Sequence, residues 1–203
     1  IKNRKIISKS LSFNFDNLLI ANQSHSNKVK IVNEVKPNID CDAMISLSSE
    51  IVLGVLTADC CPILIGHKKK YMSAVVHLGW RGLFNDILEK FLHKINILDI
   101  SSSDLIFALG PCIGLKSFEV DANFKKTFVM KDKHSKKFFI TFKNKIYFDL
   151  RGYAKYILIN LGFSNIWCSS DDTYNEFSEF FSYRYSMHNK FIDYGRMLSV
   201  IKT

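Results

Sequence analysis

The chain has 203 residues, 47% of them hydrophobic and 23% charged. That is the mixture of a soluble globular protein, long enough to bury a core without disulfides or a structural metal; disorder, collagen and a small stapled scaffold are excluded. The formal net charge of +9 raises a nucleic-acid reading, but only five of the 28 basic residues are Arg and 23 are Lys, the bias of an AT-rich coding sequence.

Taken in chain order, residues 11–21 and 28–35 read as short strands from their β-branched and aromatic content. A second strand-rich block follows at 51–57, 62–66 and 71–77 around Thr57-Ala58-Asp59-Cys60-Cys61-Pro62. Leu83, Phe84, Ile87, Leu88, Phe91, Leu92 and Ile95 then recur at the spacing of one buried helical face. A strand over 104–109 ends at Gly110-Pro111, and a helix is expected over 119–130. Residues 138–142 and 145–149 form a hairpin turning at Lys143-Asn144. Asp149 caps a helix that runs through Leu161 and stops at Gly162. Strands at 164–168 and 192–201 close the chain. The order is mixed rather than a regular alternation of strand and helix, which favours an α+β fold in a single domain over 1–203.

The lysines are scattered except at Lys68–Lys70 and between Lys125 and Lys145, and no aromatic-basic stacking signature is present. A solvated lysine surface is therefore expected, with no nucleic-acid partner. The longest apolar stretch, Ile51 to Gly66, is broken by Asp59 and Pro62, so no membrane-spanning helix is expected. The opening residues IKNRKIISKS carry no apolar stretch after their charges, hence no signal peptide; the start at Ile1 suggests that the true N-terminus is missing. Five cysteines, an odd number with no CxxC pair, point to reduced thiols and a cytoplasmic protein. Neither a GxGxxG nor a P-loop motif occurs.

Four loops place reactive groups at the ends of apolar strands: Gln23-Ser24-His25-Ser26, Thr57 to Pro62, His77-Leu78-Gly79-Trp80-Arg81-Gly82, and Gly110-Pro111-Cys112-Ile113-Gly114. Thiolate and imidazole are good zinc ligands, and three protein ligands leave a fourth position open. His25, Cys60 and His77 could form such a site, though zinc motifs normally announce themselves by close ligand pairs, which are absent here. Cys60 and His77 without metal could instead act as a thiolate–imidazole pair. Arg81 lies between a strand and a helix start, where its planar guanidinium suits phosphate or carboxylate; capping nearby carbonyls is the equal alternative.

QSHS, TADCCP, HLGWRG, GPCIG with a downstream FEV, FFSYR and GRMLSVI occur here in that order, from Gln23 to Ile201. In this the chain resembles the YfiH-like family, which carries the label multicopper polyphenol oxidoreductase (laccase) and the name peptidoglycan editing factor, and whose members are described as zinc-dependent purine nucleoside phosphorylases with adenosine deaminase activity. The resemblance implies a layered α/β/β/α sandwich with mixed sheets. It implies metal ligation by His25 of Q-x-H, Cys60 of TADC and His77 of H-x-GWRG, with Arg81 as the phosphate or ribose contact and all four in the catalytic site. Zinc is the implied metal, with Cu²⁺ possible but adventitious; with six histidines in the chain and only His25 and His77 in matching motifs, multicopper oxidation is not expected.

The implied substrates are adenosine, inosine or methylthioadenosine, together with phosphate. Alternatives are a zinc hydrolase editing nucleotide-linked peptidoglycan precursors, the metal-free Cys60–His77 hydrolase, and a non-catalytic binding protein. Asp59 neighbours the metal cysteine and, as a strand residue, is expected to point to the opposite face. The family pattern has a longer, Gly-rich segment before Q-x-H, so the N-terminal part reads as shortened. Cys61 replaces the family's Leu or Val, Asp172 its Cys before Thr173-Tyr174, and Tyr185 a second Arg.

Overall fold

The computed structural model describes residues 2–174 and 179–203. In chain order its regular elements are α1 (Lys2–Ser10), β1 (Leu18–Ile20), β2 (Val29–Val32), β3 (Ala43–Ser46), β4 (Val52–Thr57), β5 (Cys61–His67), β6 (Ser73–Leu78), α2 (Trp80–Phe84), α3 (Ile87–Ile97), β7 (Leu105–Leu109), β8 (Glu119–Val120), α4 (Ala122–Lys131), β9 (Phe139–Phe142), β10 (Lys145–Phe148), α5 (Leu150–Asn160), β11 (Asn165–Cys168), α6 (Tyr183–His188) and β12 (Met197–Ile201).

Side-chain alternation explains the layering. Cys61, Ile63 and Ile65 of β5 and Ala74, Val76 and Leu78 of β6 turn to one face, where Ile87, Leu88, Phe91 and Ile95 of α3 and Tyr153, Ala154 and Leu158 of α5 cover them. Met44 and Val75 turn to the other face and meet Leu19, Leu53 and Val55. The first face belongs to a six-stranded mixed sheet ordered β11-β7-β5-β6-β3-β2, and the second core is closed by a three-stranded sheet ordered β1-β4-β12. Arg4 of helix α1 lines a cavity together with Ile20 and Leu56 of that small sheet. The expected layers of helix, sheet, sheet and helix are thus present. Each fully buried aliphatic side chain contributes roughly 1.5–3 kcal/mol, so the two cores give the sheets a fixed register.

A third sheet, β8-β10-β9, caps the helix layer with an aromatic cluster. Phe124 stacks on Phe128 at 4.6 Å between ring centroids, and Phe128 packs on Phe148 at 5.0 Å. The hairpin turns at Lys143-Asn144 as expected, with both residues in the left-handed region. Asp149 caps α5 by accepting from Gly152 N, and Gly162 at φ 89° follows its end.

Several boundaries differ from expectation, each for a local reason. The strand expected over 11–21 is confined to β1, because Asn14 caps a short 3₁₀ turn at 15–17. The helix expected to begin near Leu83 begins at Trp80 and breaks at Asp86, which sits at φ 64°. Lys131 from α4 stabilises that break by bonding both the Phe84 carbonyl and the Asp86 carboxylate. The helix expected from 119 starts only after Asp121, whose carboxylate accepts from Phe124 N at 2.7 Å; Glu119–Val120 is strand. The final strand begins at Met197 rather than 192. No described helix is long and apolar enough to cross a membrane.

Candidate metal centre and its cavity

Register brings the three candidate ligand side chains together. In the antiparallel pairing of β3 with β6, Ala43 faces Val76, so one step further Asp42 stands opposite His77. The His77 amide closes that step on the Asp42 carbonyl at 2.7 Å. Across β5 and β6, Cys61 faces Leu78, which sets Cys60 beside Gly79 at the same end of the sheet. The QSHS loop arrives from the small sheet, anchored by its glutamine: Gln23 Nε2 donates to the Leu56 carbonyl at 2.7 Å and Gln23 Oε1 accepts from Leu56 N at 2.8 Å.

The result is a group of His25, Cys60 and His77 whose ligand atoms all lie within 4.8 Å of one another. Cys60 Sγ is 3.5 Å from His25 Nε2, and the two imidazoles meet edge-on with centroids 4.8 Å apart. Two imidazoles and a thiol at this spacing suit one zinc-sized ion. Burial, followed by the nearby Asp59 and Cys112, pushes the Cys60 thiol up to about 12. Burial, then His77, holds His25 below the usual histidine range, so its imidazole is a neutral lone-pair donor near neutrality. Cys60 and His77, the alternative metal-free pair, are also brought within 4.8 Å of each other, but the contact at 3.5 Å is that of Cys60 with His25, and burial keeps the thiol protonated, which makes it a poor nucleophile.

Asp42 is the residue of the candidate site that motif reading missed. It is 1% exposed and its carboxylate gathers the whole ligand set. It accepts from Ser24 N at 3.3 Å, His25 N at 3.0 Å, Ser26 N at 2.7 Å and Ser26 Oγ at 2.6 Å. Its Oδ1 also lies 2.7 Å from His77 Nδ1. That contact fixes the proton on Nδ1 and leaves Nε2 for a metal, the usual carboxylate–histidine support. Burial opposes ionisation, but the hydrogen bonds from His77 and Ser26 outweigh it and hold the carboxyl at about 2. One signal was available: a single acid among the apolar residues of Cys41-Asp42-Ala43-Met44.

Glycine is demanded where α2 meets the site. A Cβ on Gly79 would stand 2.7 Å from His25 Cδ2 and 3.0 Å from Cys60 Sγ, and one on Gly82 would stand 3.1 Å from the Ser26 carbonyl. Arg81, in the first turn of α2, stacks on Trp80 with its guanidinium carbon 4.5 Å from the ring centroid. Asp59 differs from expectation. It lies in the bend before β5 at φ 82°, and its carboxylate accepts from Thr173 Oγ1 at 2.7 Å and Arg184 N at 2.6 Å, tying α6 to the site. Asp172 likewise holds the GPCIG loop through Gly114 N at 2.9 Å and the Ser117 hydroxyl at 2.5 Å. Cys112 is buried core, while its neighbour Ile113 lines the cavity.

That cavity is about 810 Å³. His25, Cys60, His77 and Arg81 all line it, as do the rings of Trp80, Phe118, Tyr183 and Tyr194. Its size suits a small organic ligand.

The chain matches the family described as multi-copper polyphenol oxidoreductase laccase over residues 1–203, and it belongs to that YfiH-like family. Among its relatives, a purine nucleoside phosphorylase of Rickettsia prowazekii is 33% identical over 192 residues, which cover 93% of this chain and 79% of that protein. The purine nucleoside phosphorylase YfiH of Escherichia coli K12 is 32% identical over 180 residues, 88% of this chain and 71% of that protein. The structure of YlmD from Geobacillus stearothermophilus shares the fold with a TM-score of 0.89 at 23% identity, covering 98% of this chain and 78% of the other. A Neisseria meningitidis protein aligns with a TM-score of 0.84 at 27% identity, covering 98% and 79%. The family's descriptive name speaks of several coppers; among the described residues one group of three donors is found.

Proposed function

We propose that the protein is a zinc-dependent purine nucleoside phosphorylase that also deaminates adenosine, acting on adenosine, inosine and methylthioadenosine in the cytoplasm. The observation that carries this reading is the His25–Cys60–His77 group in the wall of a nucleoside-sized cavity that also holds Arg81 and four aromatic rings. The relatives named as purine nucleoside phosphorylases support it.

His25, Cys60 and His77 would hold the ion, with Asp42 fixing the His77 tautomer and the QSHS loop. Zinc bound there supplies a Lewis acid able to polarise the purine or lower the pKa of a water. Arg81, steadied on Trp80, offers a planar pair of donors to inorganic phosphate. Phosphate so oriented attacks the anomeric carbon, the C1′–N9 bond breaks, and the purine leaves with the electron pair. In deamination water replaces the C6 amine, giving inosine and ammonia. The aromatic rings give the flat base a stacking surface, and the half-enclosed walls limit competing water.

Chelation is expected to abolish both reactions, and added zinc to restore them. Cys60→Ala is expected to lose stoichiometric metal, read by elemental analysis, together with turnover. Full turnover by metal-free protein, or by a Cys60→Ala variant that retains its metal, would overturn the assignment.

A further inference from the structure

Of Trp80, Phe118, Tyr183 and Tyr194, the indole, phenyl and phenol rings of the cavity wall, three already carry a cation. The guanidinium carbon of Arg81 lies 4.5 Å from the centroid of Trp80, that of Arg184 lies 5.5 Å from Phe118, and that of Arg196 lies 5.8 Å from Tyr194. A guanidinium over a ring occupies a face on which a flat base would otherwise stack. Neighbouring rings cover more of the same surfaces. Phe124 meets Trp80 edge-on at 5.2 Å and Phe118 at 6.1 Å. Phe118 also packs against Phe148 at 6.0 Å and is only 8% exposed. These rings steady arginines and close the aromatic core, and they offer a ligand little open face.

Tyr183 is different. It lines the cavity yet is 46% exposed. Among the described residues no guanidinium or ammonium lies over it; the rings that carry one are Phe15, Trp80, Phe139, Phe84, Phe142, Phe118 and Tyr194. The ring contact found for Tyr183 is an edge-on one, with Tyr194 at 5.2 Å. Its backbone is pinned by bonds that do not use the ring. The Ser182 hydroxyl accepts from Tyr185 N at 3.0 Å, and the Asp59 carboxylate accepts from Arg184 N at 2.6 Å. Asp59 is the chain neighbour of Cys60, so α6 starts from a point tied beside the candidate metal group. An open ring on a fixed support is what a stacking platform needs.

We propose that Tyr183 is the ring on which the purine base stacks, and that it thereby holds the base beside the metal group. The assignment deepens the nucleoside reading above and rests on it. Stacking engages the π-face rather than the ring substituents, so adenine and hypoxanthine are accepted alike, as the proposed substrates require.

Calorimetric titration of the zinc-loaded full chain with inosine and with hypoxanthine tests it, in the absence of phosphate so that no phosphorolysis occurs. Tyr183→Phe keeps the flat ring and is expected to bind both ligands within about twofold of wild type. Tyr183→Ala and Tyr183→Leu are expected to bind both about tenfold or more weakly, the leucine because it fills space without offering a flat face. Zinc content and thermal midpoint are expected to stay at their wild-type values, because the side chain makes neither tether of α6. Unchanged binding in the Ala and Leu variants, or binding restored by Leu as fully as by Phe, would overturn the stacking role and leave the nucleoside reading standing. Weakened binding that comes only with loss of zinc or of thermal midpoint would overturn it as well. Wild type that binds hypoxanthine but not inosine would overturn the nucleoside reading, with the variants then deciding the stack on hypoxanthine; wild type that binds neither would overturn both.

Discussion

Asp42 receives five hydrogen bonds in a place where water cannot compensate their loss, and two of them come from His25 and His77, two of the three proposed metal ligands. Its carboxyl is held at about 2 against an ordinary 3.8, a depressed value. Its contribution to stability is therefore complete above about pH 4 and lost as pH falls towards 2, on the order of 2 kcal/mol in all. Asp42→Asn is expected to lower stability near neutrality by about 2–4 kcal/mol, to weaken metal binding at least tenfold, and to remove this group's share of the acid sensitivity. Urea unfolding at pH 5, 4 and 3 checks it; equal loss of stability by wild type and variant across that range would contradict it. Gly79→Ala acts through space alone, since Gly79 has an ordinary extended backbone at φ −87°. It is expected to push His25 and Cys60 apart and weaken metal affinity tenfold or more with little change in thermal midpoint. Unchanged zinc affinity, measured by competition with a chelator, would contradict it.

At the level of elements, strands and helices with a strong apolar period were legible and those made by capping or crossing contacts were not. β4, β5, β6 and β7 stood out because nearly every residue is buried on one face or both. β3 was hidden because Asp42 interrupts its approach, and α6 because Tyr183 to His188 has no apolar stripe; Ser182 and Asp59 set its start from outside. The three proposed metal ligands were legible individually, but their convergence depends on strand register, and the support from Asp42 and Gly79 became apparent only across that register. Asp59→Asn keeps a residue that tolerates φ 82° and removes the charge. It is expected to cost about 1–2 kcal/mol and to speed amide exchange in α6 more than in α5. Equal protection of α6 in wild type and variant, by hydrogen exchange, would contradict its tethering role.

On the scale of the whole molecule, two sheets face each other over a buried core, and the candidate cavity opens where their strand ends meet. The six-stranded sheet supplies His77 and, at its approach, Cys60; the loop leaving the small sheet supplies His25; α2 brings Arg81; and α1, α6 and the entry to β12 complete the rim. The net charge of +9 is carried mostly by lysines, none of which lines the cavity, while four of the five arginines do. The most direct test of this account is chromatographic product analysis of zinc-loaded protein given adenosine, with and without phosphate. The account predicts adenine only when phosphate is present and inosine with or without it, with Arg81→Ala raising the KM for phosphate more than it slows deamination. Folded, zinc-loaded protein that forms neither adenine nor inosine would contradict it.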